Sequence, residues 1–140
     1  MHNINIAAKI WKDLIFIVTS LKSLKIIMHG IMDIKFALQQ EFEKAQQARI
    51  NKNEGQARVC ARRAAGIAIR DYLTRNGTRV PSMSAYDLLN LLKEDALIPT
   101  DLKLIADHLT LRVTEEFKLP IDADLIAESR ILCDWLTIPS

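Results

Sequence analysis

Four arginines lie among alanines in the stretch GQARVCARRAAGIAIRDYL, residues 55–73: Arg58, Arg62, Arg63 and Arg70. Guanidinium groups bind carboxylates and phosphates through paired hydrogen bonds, whereas alanines allow a neighbouring helix to approach closely. On a helical wheel the alanines gather on one side and Arg58 and Arg62 border them, while Arg63 and Arg70 lie on the far side with Gly66 between them. The stretch therefore predicts a helix with one packing face and one charged face.

These arginines have two interpretations. In the first, they form ion pairs with acidic side chains of the same domain, for which Glu41, Glu43, Asp87 and Glu128 are the candidates. In the second, they contact the phosphates of RNA or of a nucleotide. We expect ion pairs, because arginine serves structural pairing as readily as phosphate binding, and such pairs contribute little stability when exposed.

A second constellation is His108 with Arg112, one helical turn apart on a predicted helix that also carries Asp101 and Glu115. We interpret it as a solvated charge ladder and add His108 and Arg112 to the four arginines as candidate contact residues. No catalytic residue, metal ligand set or cofactor site is predicted. The sequence contains no Gly-rich phosphate loop, paired-His zinc motif or nucleophile elbow.

Composition restricts the class of protein. The chain has 140 residues, 49% of them apolar, with four Gly, four Pro and a formal net charge of +2. This length suits one domain, and so small a net charge does not by itself indicate nucleic-acid binding. Cys60 and Cys133 stand far apart in sequence, which favours reduced thiols in a cytoplasmic protein.

Residues 1–31 differ from the rest of the chain. Their apolar residues repeat at four-three spacing and predict an amphipathic helix: Ile10, Leu14, Ile17, Leu21, Leu24, Met28 and Ile31. We expect neither secretion nor a transmembrane segment, because the longest apolar run, 14–18, is short and Lys22 and Lys25 follow it. Packing on its own domain or on a second chain is favoured over membrane-surface contact through 9–31.

A self-sufficient helix can begin at Met32, in MDIKFALQQEFEKAQQARINKNEG. Residues 1–31 are accordingly expected to be an appended segment or an over-extended start, and 32–137 to form the main domain. Its first helix has apolar residues on one side, namely Phe36, Leu38, Phe42, Ala45 and Ala48.

Turn residues and caps divide the remainder into helices. NKNEG at 51–55 and NGT at 76–78 mark two ends, and Ser84 caps a short helix containing Leu88, Leu89, Leu91 and Leu92. Pro99 and Thr100 open a continuous helix through 117, with Leu102, Ile105, Ala106, Leu109 and Val113 on its apolar side. Asp122 caps the last helix, which buries Leu125, Ile126, Ile131, Leu132 and Trp135. The prediction is all-α: an up-and-down bundle of four to five helices preceded by the amphipathic helix.

Four segments, EGQARVCARRAAGIAIRDYL, SAYDLLNLL, LIADHLTLRV and LPIDADLIAESRILCDWL, resemble the HEPN superfamily, specifically its small stand-alone bacterial members. The resemblance covers about residues 32–137. It implies a bundle of four or five helices, frequently dimeric, in a family of ribonucleases, toxin partners of small nucleotidyltransferases and non-catalytic adaptors. The ribonucleases carry an Arg four to six residues before a His, and His2, His29 and His108 lack it.

The sequence therefore predicts a non-catalytic, HEPN-like binding module or adaptor, with RNA, a nucleotide or a partner protein contacting the helix at 55–73. We expect a homodimer. One alternative is a DNA-binding protein that uses a degenerate helix-turn-helix at 102–117, where Thr110 replaces the turn glycine. Another is a divergent HEPN ribonuclease.

Overall fold

A computed structural model describes residues 2–116 and 118–138 of the chain. Within these residues the backbone forms five helices and no strand, which confirms the all-α prediction. The helices are α1 (His2–Ile50), α2 (Glu54–Arg75), α3 (Ala85–Lys93), α4 (Thr100–Thr110) and α5 (Leu125–Thr137).

The chain divides into two compact units, 1–33 and 34–140. Helix α1 contributes residues to both, and it runs through Met32 without the new helix start that the sequence suggested there. The two units are described separately below.

Helix α2 is the central element of the unit 34–140, where it packs mainly against α5 and α3. Its buried face consists almost entirely of small side chains: Ala57, Cys60, Ala61, Ala64, Ala65, Gly66 and Ala68, followed by Ile69 and Leu73. The alanines are completely inaccessible to solvent. The predicted alanine packing face is therefore present, and it lets the neighbouring backbones come close.

The closest approach to α2 occurs at Gly66, opposite the first residue of α3. A Cβ atom at Gly66 would lie 3.0 Å from the Cβ and 3.2 Å from the Cα of Ala85. An added Cβ would force Ala85 to shift by a few tenths of an ångström, so glycine favours this close approach through its small size. Its backbone conformation is an ordinary helical one. This contact sets how near α3 can lie to α2.

Helix α5 is joined to α2 by a buried hydrogen bond. The Ser129 hydroxyl donates to the carbonyl oxygen of Ala61 at 2.7 Å and is fully buried. A small polar residue satisfies its hydroxyl this way without separating the two helices. Near the start of α5, Arg49 binds Glu54 at 2.8 Å and Asp124 at 3.1 Å, which links the ends of α1, α2 and α5.

Among the later helices, the starts of α3 and α4 follow the sequence and the start of α5 does not. Ser84 caps α3 in a complete capping box with Asp87, and α4 begins after Pro99, both as predicted. The predicted cap of α5 by Asp122 is wrong. The carboxylate of Asp124 accepts from the backbone N–H groups of Ile126 and Ala127 and caps the helix two residues later.

The predicted continuous helix through 117 is also wrong, because α4 ends at Thr110 and Leu111 is extended. Residues 111–116 are not helical, and Phe117 lies outside the described residues. The carbonyl groups of Leu109 and Leu111 are bound instead by the side chain of Arg62 from α2. Apolar spacing alone could not reveal these hydrogen bonds, because Arg62 is far from the end of α4 in the sequence. Val113 consequently lies outside the helix and is exposed.

Some predicted core residues prove to be exposed, namely Phe36, Ile131 and Trp135. Phe36 lies on the opposite side of α1 from the buried row of Leu38, Phe42, Ala45 and Ala48, since helical rows recur every three to four residues. In α5 the inward row is Leu125, Ile126, Ser129, Leu132, Cys133 and Leu136.

The unit 1–33 shows large apolar side chains at the surface. From Ile10 to Met32, those that the structure describes are 49% to 73% exposed; the side chains of Ile27 and Ile31 are not described. Helix α1 contains an 18-residue window of mean hydropathy 1.6, none of it buried, within 7–50. Its length and composition are sufficient to cross a membrane, but core helices of soluble proteins and signal sequences meet the same criterion. The absence of a transmembrane segment therefore stays a prediction.

The approach at Gly66 predicts the effect of a larger side chain. Gly66→Val should lower the free energy of unfolding by about 1–3 kcal/mol, because α3 must move away from α2. Gly55→Val is the matched control, since an added Cβ there meets only Asn53 Oδ1 at 3.7 Å. Urea denaturation followed by circular dichroism measures both variants. Equal midpoints would show that α2 and α3 are not packed this closely.

Candidate functional site

Besides Arg75 at its end, α2 carries the four arginines singled out in the sequence, and these have different surroundings. Arg62 is half-buried, and its Nε and Nη2 donate to the carbonyl oxygens of Leu109 and Leu111 at 2.6 and 2.9 Å. Burial, with the neighbouring charge of Arg58, lowers the pKa of Arg62. The guanidinium satisfies the last carbonyls of α4, where a cation also complements the helix dipole.

Arg70 has a similar structural role at another place. Its Nη1 and Nη2 donate to the carbonyl oxygens of Pro81 and Met83 at 3.3 and 3.2 Å, which holds the segment before α3. The predicted ion pairs with Glu41, Glu43, Asp87 or Glu128 are therefore wrong for Arg62 and Arg70. Backbone carbonyl groups without helical partners lie within reach of these side chains and accept the hydrogen bonds of their guanidinium groups.

Arg63 and Arg58 form no hydrogen bond or ion pair with the described residues. Arg63 is exposed and, together with Arg70, lines a groove of about 450 Å³ formed by α1, α2 and α3. Apolar side chains cover much of this groove, namely Ile34, Ile67, Met83 and Leu88. We call it the α1–α3 groove.

Two carboxylates offset the positive charge of Arg63 and Arg70 in the α1–α3 groove. Asp71 is bound by Arg75 at 2.8 Å, whereas Glu41 has only a 3.5 Å contact from its Oε1 to Lys44. The other oxygen of Glu41, Oε2, is inaccessible to solvent and has no hydrogen-bond partner among the described residues. A buried carboxylate oxygen of this kind favours a ligand that brings an N–H or O–H donor.

Sequence reasoning missed Glu41 as a site residue. The sequence predicts Glu41 only as an ion-pair partner for the arginines. The available signal was its position, because Glu41 lies on the same helical row as the buried Leu38, Ala45 and Ala48. An acidic residue in an apolar row indicates either a buried partner or a binding site.

The remaining pair, Arg58 and Arg62, lines a different groove of about 470 Å³ at the start of α2. Lys52 is the third cation there. Among the described residues, the one carboxylate that lines it is that of Glu54, which Arg49 already binds at 2.8 Å. The local charge of this groove is therefore positive. We call it the α2 N-terminal groove.

His108 and Arg112 do not form the predicted charge ladder. His108 is half-buried, and its Nδ1 lies 3.0 Å from both carboxylate oxygens of Glu128 on α5. Arg112 and Glu115 follow the end of α4, so they cannot share a helical face with Asp101 and His108. The six candidate residues thus fall at separate places and not in one cluster.

The helix-turn-helix geometry is absent from the described part of 102–117. After α4 ends at Thr110, the described residues up to 124 are not helical, and α5 begins only at Leu125. A helix-turn-helix needs its second helix after a turn of about three or four residues. The end of α4 is therefore not the turn of such a motif.

Other chemical groups are few. Among the side chains that the structure describes, no three of His, Cys, Asp or Glu come together as metal ligands. Cys60 and Cys133 are free and buried, and burial raises the pKa of the Cys133 thiol to about 12. Reactive cysteines have a depressed pKa, so Cys133 is not suited to nucleophilic chemistry.

Comparison of the chain with protein-family models, with curated proteins and with solved structures finds no match.

The adjacent Arg62 and Arg63 allow a matched pair of variants. Arg62→Gln should lower the free energy of unfolding by about 1–3 kcal/mol, because buried carbonyl groups lose their donors. Arg63→Gln should change it by less than about 0.5 kcal/mol, since its guanidinium makes no such bond. Urea midpoints measure both. Destabilisation by Arg63→Gln with none by Arg62→Gln would contradict the assignment of structural and free arginines.

The buried thiol makes a prediction about pH. In a Cys60→Ala background, Cys133 should resist iodoacetamide at pH 9 until urea unfolds the chain. The unfolded thiol loses its proton near pH 9 and the folded one only near 12, so the folded state binds more protons between these values. Stability should accordingly decline as pH rises through this range. Rapid alkylation of the folded protein at pH 9 would show that Cys133 is accessible.

Proposed function

We propose that the chain is a non-catalytic, HEPN-like adaptor that binds a polypeptide in the α1–α3 groove. The observation that carries this proposal is the composition of that groove: an apolar lining beside the unpaired cation Arg63 and the buried, unpaired Oε2 of Glu41. A polypeptide presents apolar side chains, backbone N–H donors and charges of both signs within a short length. Each of these has a complement in the α1–α3 groove.

The mixed charge of the α1–α3 groove favours a polypeptide over RNA there. A nucleic-acid strand would bring its phosphates to Arg63 and Arg70 but also close to the carboxylates of Glu41 and Asp71. Like charges placed together in a binding site oppose association. Arg70 is moreover already bonded to two carbonyl groups, so it has fewer donors left for phosphates.

The HEPN-like and non-catalytic parts of the proposal rest on other support. Helix α2 contains the first of the segments that resemble the family, and α3, α4 and α5 each overlap one of the other three. No histidine follows an arginine at the ribonuclease spacing, and His108 is engaged by Glu128. A cytoplasmic location, which the free thiols support, and a homodimer, which the resemblance implies, belong to the same proposal.

A second candidate function is phosphate binding at the α2 N-terminal groove, with RNA or a nucleotide as the ligand. The observation in its favour is the group of Lys52, Arg58 and Arg62, opposed only by a carboxylate that Arg49 already holds. Arg58 has no partner among the described residues, so its guanidinium is available to an anion.

Affinity purification of the tagged chain from its own cells tests the first proposal. A polypeptide should co-purify, should remain after nuclease treatment, and should be lost with Arg63→Glu or Ile67→Glu, which alter the α1–α3 groove. Arg79→Glu is the matched charge control, because Arg79 is exposed and does not line the α1–α3 groove. Retention of the partner by both groove variants would contradict the proposal.

RNA titrations separate the two candidates. The first predicts no retention of RNA near physiological salt. RNA binding that falls steeply with salt, and whose salt slope decreases by about one with Arg58→Gln, would instead support the α2 N-terminal groove. RNA cleavage that His108→Ala abolishes would overturn the non-catalytic proposal.

A further inference from the structure

The apolar stripe of residues 10–28 has no buried member. Its residues are Ile10, Leu14, Ile17, Leu21, Leu24 and Met28, and each is about half exposed or more. Monomeric soluble proteins rarely present so continuous an apolar surface unless it binds a partner or a membrane. The stripe occupies one side of α1 at four-three spacing, and Ile15, Phe16 and Ile26 add exposed apolar side chains on the opposite side.

The charges around this stripe are almost all positive. Between residues 7 and 32 the sequence contains Lys9, Lys12, Lys22 and Lys25 but only one acidic residue, Asp13, so the segment carries a net charge of +3. On the helical wheel Lys9, Lys12 and Lys22 lie away from the stripe, and Lys25 lies at its border. Trp11 also lies at the side, where an indole ring suits the boundary between lipid and water.

We propose that residues 7–32 bind the surface of an anionic lipid bilayer, with the stripe in the outer acyl region and the lysines among the phosphate headgroups. The stripe matches the acyl chains, and the lysines match the headgroups. Burial of the apolar stripe in the acyl region favours partition of the segment from water into the bilayer surface. The four ammonium groups of the lysines add a preference for negatively charged lipid. This inference does not depend on the α1–α3 groove.

A surface position fits better than a transmembrane one. Lys22 and Lys25 lie near the middle of the apolar residues from Leu14 to Ile31, so a transmembrane helix would place both ammonium groups in the bilayer core. Lysine at the centre of a bilayer is strongly unfavourable. At the surface, both side chains can extend along the helix to the headgroups.

A surface position also fits better than a helical pair with a second copy of the chain. In paired helices the positions beside the apolar seam commonly carry complementary acidic and basic residues. Here those positions hold Trp11, Asp13, Val18, Ser20 and Lys25, which offer almost no complementary pairs. Two copies would instead bring two segments of charge +3 together.

Sedimentation of the full chain with lipid vesicles tests the inference. Each net lysine contributes roughly a fivefold gain in partition to an anionic surface, so vesicles containing phosphatidylglycerol should bind about a hundredfold better than pure phosphatidylcholine. High salt should reduce this preference. In a Trp135→Phe background, the fluorescence of Trp11 should shift to the blue when these vesicles are added.

Two pairs of variants identify the contact. Leu14→Ser with Leu21→Ser should lower partition by about tenfold or more, whereas Ile15→Ser with Ile26→Ser, on the lysine side, should have a much smaller effect. Lys22→Gln with Lys25→Gln should lower binding to anionic vesicles by roughly thirtyfold, since two charges are lost. Lys103→Gln with Lys118→Gln, outside the segment, is the charge-matched control.

Several results would overturn the inference. These are equal binding to both kinds of vesicle, no binding to either, and equal effects of the two serine pairs. Resistance of the bound chain to extraction at high pH would indicate a transmembrane helix instead. Concentration-dependent assembly without lipid, abolished by Leu14→Ser with Leu21→Ser, would indicate a second copy of the chain as the partner.

Discussion

The close approach of neighbouring helices to α2 is the constraint on which the unit 34–140 depends. Alanines contribute little apolar area each, so α2 stabilises the bundle by letting other backbones lie near it. Gly66 against Ala85, and Ser129 bonded to the carbonyl of Ala61, are the two places where this is most direct. Larger residues along this face would separate α3 and α5 from α2, and the rest of the arrangement would be lost with them.

The same closeness decides what the arginines do. Because α3 and α4 lie near α2, carbonyl groups at the start of α3 and the end of α4 come within reach of Arg70 and Arg62. These two side chains therefore complete the backbone hydrogen bonding of neighbouring elements. Arg58 and Arg63 have no such partner among the described residues and remain available to a ligand. One helix thus combines arginines that bind backbone carbonyl groups with arginines that have no partner among the described residues, and what lies opposite each position decides which they are.

Local signals predicted most of the helices, whereas tertiary contacts decided the features that were missed. The Ser84 cap, the Pro99 start and the alanine face of α2 depend on neighbours in sequence, and all three were predicted correctly. The end of α4 depends on Arg62, nearly fifty residues away, and its apolar spacing carried no sign of that contact. The role of Glu41 likewise depends on which surfaces α1 buries. The choice between Asp122 and Asp124 as the cap was local but ambiguous.

The exchange of guanidinium Nε–H protons with solvent, measured by nuclear magnetic resonance, tests the division of the arginines most directly. A proton held in a buried hydrogen bond exchanges slowly, and an exposed one exchanges fast. The structure predicts a slowly exchanging Nε–H for Arg62, which donates to Leu109, and fast exchange for Arg58 and Arg63. Fast exchange at Arg62, or protection of Arg63 in the isolated protein, would contradict the account.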